Sequence, residues 1–343
     1  QRDYLIVYSL AYFADWLKGP YVYVLYESYG LTDQDIALLF VVGFGSSAVS
    51  GPFVGTLADK FGRKKMCLAY FIVYILCALT KTHEEFKWLL LGRVLGGIGT
   101  SLLCTSFESW MVTEHNRFQF GQELLNDTFV KSSMCNSGSA IIAGLVAQCL
   151  SDRYGYLAPF LFGIAPLTLG LIVSCIRWSA DQPKSNTSFM RGFQESLASM
   201  DKNLWVLGLS QSMFLGTMYT FVFLWTPAMD IAHKGHDLPY GLLFSIFMLM
   251  ISIGSNIFKK AELELEKWPF IILTASTLCF AGMAVYIQDE FQLFVAFILF
   301  EAVCGVMFPA YGSLRSMYVP EATRTTVLNI YRVPLNVYVV IML

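Results

Sequence analysis

The chain has 343 residues, of which 56% are hydrophobic and only 14% are charged, whereas an ordinary soluble domain has roughly 25% charged residues. Its mean hydropathy of +0.56 indicates more apolar side chains than a soluble core could bury, so we expect the solvent to be lipid. The formal net charge of −2 excludes nucleic acid as an expected partner, because phosphate binding requires clustered excess Lys and Arg.

Apolar stretches long enough to cross a bilayer recur along the whole chain. The hydrocarbon core is about 30 Å thick, so a spanning helix needs about 20 mostly apolar residues. Eleven stretches qualify and predict an all-α integral membrane protein. They lie at residues 4–29, 35–58, 66–82, 86–113, 128–150, 157–177, 204–229, 238–258, 268–287, 290–314 and 323–343. Because the eleventh stretch reaches the last residue and the chain does not begin with Met, we expect a twelfth helix beyond it.

A polar segment divides these stretches into two groups. Residues 179–203 are rich in Ser, Asn, Asp and Lys and follow the sixth stretch. We therefore predict an N-terminal bundle of six helices over residues 1–178, a cytoplasmic linker over 179–203, and a C-terminal bundle over 204–343.

The distribution of Lys and Arg predicts the orientation in the membrane. Short cytoplasmic loops retain positive charge, and most basic residues lie in loops that face inward if the first helix starts in the cytoplasm. The predicted outer loops hold only Lys81, Lys87, Arg153 and Lys234. We expect a multi-pass protein with a cytoplasmic N-terminus, and we assign the tyrosines of residues 21–29 to an interfacial aromatic belt.

The loop between the second and third stretches has a distinctive spacing of Gly55, Asp59, Gly62 and Arg63, followed by two lysines. Gly62 would permit a tight turn, and the Asp59 carboxylate could accept hydrogen bonds from backbone donors or a guanidinium. The simpler interpretation is a stop-transfer cluster of basic residues. The spacing resembles the signature loop G-x-L-x-D-x-x-G-R-[RK] of the major facilitator superfamily. That resemblance implies a fold of two six-helix bundles, with these four residues as an inner conformational latch.

A larger set of segments resembles one family within that superfamily, the molybdate-anion transporters. The segments are Ala14-Asp-Trp-Leu17, Gly19-Pro-Tyr21, Gly92-Arg-Val-Leu-Gly-Gly97, Ser106-Phe-Glu-Ser-Trp110, Glu114-His115, Phe221-Val-Phe-Leu-Trp-Thr-Pro227, Cys304-Gly305, Phe308-Pro309 and Val327-Leu-Asn-Ile-Tyr-Arg-Val-Pro-Leu335. The resemblance implies import of molybdate, a tetrahedral dianion, across a membrane, which we expect to be the plasma membrane. Composition and periodicity indicate only a polytopic carrier.

Several charged side chains lie inside the predicted helices, where each costs roughly 2.5–3.5 kcal/mol and is usually paired or functional. Asp15 and Lys18 are three residues apart and could pair within one helix. Arg93, Gly97, Thr100, Cys104 and Glu108 share one helical stripe, which would either line a cavity or allow tight helix packing. The remaining intramembrane charges are Lys131, Glu301 and Arg332.

An oxyanion site needs fixed positive charge and neutral hydrogen-bond donors, and Arg offers a planar fork suited to tetrahedral oxygens. We predict that Arg93 and Arg332 supply the charge and that Asn136 and Asn329 supply neutral donors, at a site between the bundles. Lys18 and Lys131 are further basic candidates for this site. The alternative is that Arg332 neutralises Glu301 or Asp15.

The intramembrane carboxylates Asp15, Glu108 and Glu301 would repel a dianion while ionised, so we expect them to pair with basic groups or to carry coupling protons. Two other function classes stay open: a proton-coupled carrier of a sugar or organic anion, and a non-transporting receptor or scaffold. An enzyme is disfavoured, because the sequence has no metal-ligand spacing, nucleophile elbow or phosphate-binding loop. We expect no metal site and no cofactor.

Overall fold

The computed structural model describes residues 1–179, 200–233, 238–261, 263–319 and 324–342, and the regular structure of these ranges is helical. Two single 3-10 turns lie at Gly19–Tyr21 and Leu265–Lys267. The α-helices are α1 (Arg2–Leu17), α2 (Val22–Ser28), α3 (Asp33–Phe61), α4 (Arg63–Thr80), α5 (Phe86–Arg117), α6 (Gln122–Tyr154), α7 (Ala158–Phe162), α8 (Ile164–Arg177), α9 (Lys202–His233), α10 (Tyr240–Lys260), α11 (Trp268–Val285), α12 (Glu290–Tyr318) and α13 (Arg324–Met342).

Two of the eleven predicted spans are broken rather than continuous. The predicted span 4–29 divides into α1 and α2 at Gly19–Tyr21, because Pro20 has no N–H to continue the helical ladder. The predicted span 157–177 divides into α7 and α8 at Gly163. Pro166 is the physical reason, since it cannot donate to the carbonyl four residues earlier.

Within the described ranges, eight helical segments are long and apolar enough to cross a membrane. Three predicted spans fall outside this set. The first is interrupted at Gly19–Tyr21, and α4 begins with the three basic residues Arg63, Lys64 and Lys65. The third is α13, whereas Ala158–Arg177 is within the set despite its turn at Gly163.

The chain divides into two compact units, residues 1–189 and 190–343. In the N-terminal unit, α5 packs against α3 and α4, while α1 packs against α6 and α8. The predicted linker 179–203 lies mostly outside the described residues.

Glycine allows α3 and α5 to approach closely in the N-terminal unit. A Cβ atom at Gly97 on α5 would overlap the carbonyl oxygen of Gly43 on α3. Hydroxyl groups connect the same two helices, because Ser101 Oγ donates to the carbonyl of Ser47 at 2.9 Å. Small residues on the α5 stripe therefore bring α3 against the helix that carries Arg93.

In the C-terminal unit, α12 packs against α10, α11 and α9, and α9 also packs against α13. The α10–α12 contact depends on Gly254 and Gly305, where an added Cβ would overlap a backbone carbonyl of the partner helix. Ser255 Oγ donates to the carbonyl of Gly305 at 2.8 Å. Backbone contact of this kind leaves α10 and α12 little freedom to slide.

The turn between α3 and α4 is a single residue, Gly62, with φ +97° and ψ 141°. Only glycine adopts that conformation readily, so the predicted role of Gly62 in a tight turn is confirmed. The N-terminus of α4 is joined to the end of α8, since Lys64 Nζ donates to the carbonyls of Cys175 at 3.2 Å and Trp178 at 2.6 Å. Trp178 in turn stacks on Trp110 of α5 at 3.7 Å between ring centroids.

Candidate functional site

Arg93 lies on α5 with its guanidinium between two aromatic rings. Its Cζ atom is 4.0 Å from the ring centroid of Phe40 and 5.1 Å from that of Tyr26. Cation–π contacts of this geometry hold the guanidinium plane without consuming its N–H donors. Nε and Nη2 are buried and have no hydrogen-bond partner among the described residues. Arg93 is thus a fixed positive charge with donors still available.

Lys81 is the functional candidate that the sequence analysis missed. The distribution of basic residues assigns it to an outer loop, but the structure buries it at the end of α4, with 4% of its surface exposed. Its ammonium donates to the hydroxyl of Tyr26, and its backbone carbonyl accepts from the hydroxyl of Tyr29 at 2.6 Å. The interfacial assignment of the tyrosines is wrong for Tyr21, Tyr23 and Tyr26, which are buried inside the unit, whereas Tyr29 is partly exposed.

Asp15 and Lys18 form an ion pair within the first predicted span. Lys18 Nζ lies 2.9 Å from Asp15 Oδ1 and 3.7 Å from the ring centroid of Tyr74. The Tyr74 hydroxyl donates to Asp15 at 2.8 Å and lies 2.9 Å from Thr100 Oγ1 on the Arg93 stripe. The within-helix pairing is therefore present, and Tyr74 connects it to α5.

The candidates on α6 also have local partners. Lys131 Nζ lies 2.6 Å from Asp127 Oδ2, one turn earlier on the same helix, and both side chains are nearly half exposed. Asn136 Oδ1 accepts from Trp16 Nε1 at 2.7 Å, which leaves its amide N–H groups available to donate. Glu108 on α5 is exposed within the N-terminal unit.

In the C-terminal unit, Glu301 on α12 is buried, with 5% of its surface exposed. Arg332 on α13 is partly exposed, and its backbone carbonyl accepts from Asn336 Nδ2 at 2.6 Å. No ion pair between Arg332 and Glu301 is present in the described part of the chain. Asn329 lies on α13, but its side chain is outside the described part of the structure.

The predicted latch residues lie around the α3–α4 turn. Gly55 and Asp59 are on α3, and the environment of the Asp59 side chain is outside the described part of the structure. Arg63 is the first residue of α4 and is partly exposed. The structure therefore gives the turn but not the contacts of the Asp59 carboxylate.

With this geometry established, comparison with known proteins identifies the family. Residues 1–291 match a family described as sugar transporters with 12 TM. A molybdate-anion transporter of Takifugu rubripes is 33% identical over 98% of this chain and 77% of its own length. One from Xenopus tropicalis is also 33% identical, over 98% and 76%. The chain belongs to the molybdate-anion transporter family of the major facilitator superfamily.

The fold of this transporter agrees with solved members of the superfamily. The POT family transporter PepTSo superposes with a TM-score of 0.81 at 10% identity, covering 99% of this chain and 88% of the other. The nucleoside transporter NupG gives a TM-score of 0.77 at 13% identity, covering 98% and 87%. The predicted all-α major facilitator fold is confirmed, and the chain is a multi-pass membrane transporter.

Proposed function

We propose that this transporter imports molybdate across the plasma membrane by secondary-active alternating access. The observation that carries the proposal is the similarity over 98% of the chain to relatives named molybdate-anion transporters. The free donors of Arg93 support it independently, because a dianion entering a low-dielectric site requires positive charge and N–H donors.

Arg93 is the central substrate ligand in the N-terminal unit, and Arg332 is its counterpart in the C-terminal unit. Asn136 and Asn329 supply neutral donors. Lys18 and Lys131 are already paired with Asp15 and Asp127, so each contributes less net charge than the two arginines. A planar guanidinium also offers two parallel N–H donors to two oxygens of a tetrahedral anion, whereas an ammonium lacks this fixed fork.

Proton coupling belongs to the same proposal. Glu301 is buried on an apolar helix, and a buried carboxylate without a cation is strongly disfavoured. Protonation would neutralise it, which makes Glu301 the first candidate proton carrier, ahead of Asp15 and Glu108. The turn at Gly62, with Gly55, Asp59 and Arg63, is proposed as the inner latch that controls the balance of states.

The deciding experiment measures uptake by purified protein in proteoliposomes loaded with unlabelled molybdate. We expect accumulation of labelled molybdate, reduced by excess unlabelled molybdate more than by sulfate or glucose. Arg332→Lys should weaken uptake through affinity, and Lys87→Gln is the matched control because Lys87 is 88% exposed. Transport of glucose but not molybdate would instead favour the sugar carrier, which the description of the matching family supports.

The orientation and membrane are tested separately in intact cells. In a variant whose eight native cysteines are replaced by serine, a single cysteine introduced near Lys87 should react with an impermeant maleimide from outside if the N-terminus is cytoplasmic. Labelling only after permeabilisation would place this loop inside the cell or the protein in an internal membrane, and microscopy separates those two results.

A further inference from the structure

Two basic side chains of the N-terminal unit converge on one buried tyrosine. Lys81 Nζ lies 4.7 Å from the ring centroid of Tyr26, and Arg93 Cζ lies 5.1 Å from the same centroid. The two charges are therefore no more than about 10 Å apart, within roughly one Debye length at 0.1 M salt. Lys81 also packs directly against α5, the helix that carries Arg93, since a Cβ atom at Gly92 would lie 3.2 Å from Lys81 Nζ.

Among the residues that the structure describes, no carboxylate forms an ion pair with either of these two side chains. In the described ranges, neither Lys81 nor Arg93 has an acidic oxygen within 4.0 Å, whereas Lys18 and Lys131 each have one. Lys81 is buried, and Arg93 is partly exposed but has Nε and Nη2 buried. A buried cationic group without a counter-charge is costly, and a second one nearby adds to that cost. An anion bound next to these groups would supply the missing charge and reduce this cost.

The free donors have the arrangement that an oxyanion requires. Nε and Nη2 carry the two parallel N–H bonds on one edge of a guanidinium, and these are the two Arg93 atoms that are buried without a partner. Such an edge donates to two oxygens simultaneously. Lys81 uses one ammonium proton on the Tyr26 hydroxyl and keeps two, while that hydroxyl still has its own proton to donate.

We propose that Lys81, Tyr26 and Arg93 form a tetrahedral-oxyanion site contained within the N-terminal unit, with Lys81 and Tyr26 as binding residues. The Arg93 edge binds two oxygens, and Lys81 and the Tyr26 hydroxyl bind the others. The choice of molybdate as the physiological ion rests on the proposed function; the site itself requires only an oxyanion.

The test measures binding of sodium molybdate and sodium sulfate to the purified full chain in phosphatidylcholine nanodiscs by calorimetry. We expect Lys81→Gln and Arg93→Gln each to weaken binding about tenfold or more, and Arg93→Lys to weaken it nearly as much because the fork is lost. Tyr26→Phe should weaken binding several-fold. The matched controls are Lys87→Gln, which is exposed, and Tyr23→Phe, whose hydroxyl donates to Asp33 instead; both should bind like the unchanged protein.

Thermal unfolding provides a second test that does not depend on measured affinities. Lys81→Met removes one of two unpaired charges, so we expect its thermal unfolding midpoint without anion to rise or stay equal. Molybdate should raise the midpoint of the unchanged protein but not that of Lys81→Met. A drop in the midpoint of Lys81→Met together with a retained molybdate response would overturn the proposal.

The outcomes of these experiments distinguish a failure of the proposed site from a failure of the proposed function. If the unchanged protein transports molybdate and both Gln variants keep its affinity, this site and the role of Arg93 as a substrate ligand are wrong, and molybdate transport stands. If the protein transports no molybdate but Lys81→Gln abolishes sulfate binding, the site stands and the function is wrong. If the variants alter only the amount of co-purified phospholipid, a headgroup phosphate occupies the position and the free-anion site is wrong.

Discussion

The Asp15–Lys18 ion pair allows a direct test of how the charges on α1 are used. Asp15 contacts Lys18 at 2.9 Å and accepts from the Tyr74 hydroxyl at 2.8 Å, and the two charged side chains are 22% and 25% exposed. We predict that Asp15→Asn destabilises the protein, because it leaves the Lys18 ammonium without its counter-charge over the face of Tyr74.

The expected loss of stability can be estimated from the distance between the two charges and from their exposure. Opposite unit charges 2.9 Å apart attract by roughly 6 kcal/mol at an effective dielectric constant of about 20. Lost hydration of both ions offsets much of this, and breaking a fully buried pair costs about 3–5 kcal/mol. Because both side chains retain some exposure, we expect a loss of about 2–3 kcal/mol for Asp15→Asn. Lys18→Met should show a similar loss, and the double variant should recover about 1–3 kcal/mol of coupling energy.

The assay combines thermal unfolding of purified protein, followed by tryptophan fluorescence, with molybdate counterflow in proteoliposomes. If Lys18 only neutralises Asp15, the double variant regains stability and keeps counterflow. If Lys18 contacts the substrate, the double variant regains stability but loses counterflow. Lys87→Met is the control, since its pair with Glu85 spans 3.6 Å and is largely exposed. Equal unfolding midpoints for the single and double variants would refute the electrostatic reasoning.

Three further predictions concern the turn, the helix contacts and coupling. Gly62→Ala should cost about 1–3 kcal/mol of stability because φ is +97° there, whereas Gly138→Ala, in open space on α6, should be neutral or slightly stabilising in thermal unfolding. Gly305→Ala should lower the unfolding midpoint, since its Cβ would overlap the carbonyl of Ile251, while Gly282→Ala meets only Ala296 at 3.8 Å and should not. Glu301→Gln should abolish uptake driven by a pH gradient and spare counterflow; unchanged gradient-driven uptake would exclude this carboxyl as the proton carrier.

The fold was largely predictable because membrane thickness imposes helix length directly on the sequence. Each of the eleven predicted stretches contains helix, and most ends agree within a few residues. The apolar content of a stretch does not predict the breaks at Gly19–Tyr21 and Gly163, because they depend on the missing N–H groups of Pro20 and Pro166. Gly62 was predictable because a one-residue turn between two long helices requires a positive φ.

The candidate site was less predictable, and the basic residues show why. Lys18 and Lys131 have acids three or four positions away on the same helix, so spacing alone anticipates their ion pairs. Lys81 lies at a helix end five residues before α5, where a lysine ordinarily extends to the membrane surface. Its burial depends on Tyr26 and Gly92, which belong to other helices and come together only in the folded unit. Local spacing thus identifies the charges that their own helix neutralises. Whether a basic side chain lacks an acidic partner can be determined only from the folded unit, where the neighbouring helices are in place. A basic side chain without an acidic partner keeps its charge available for an anion.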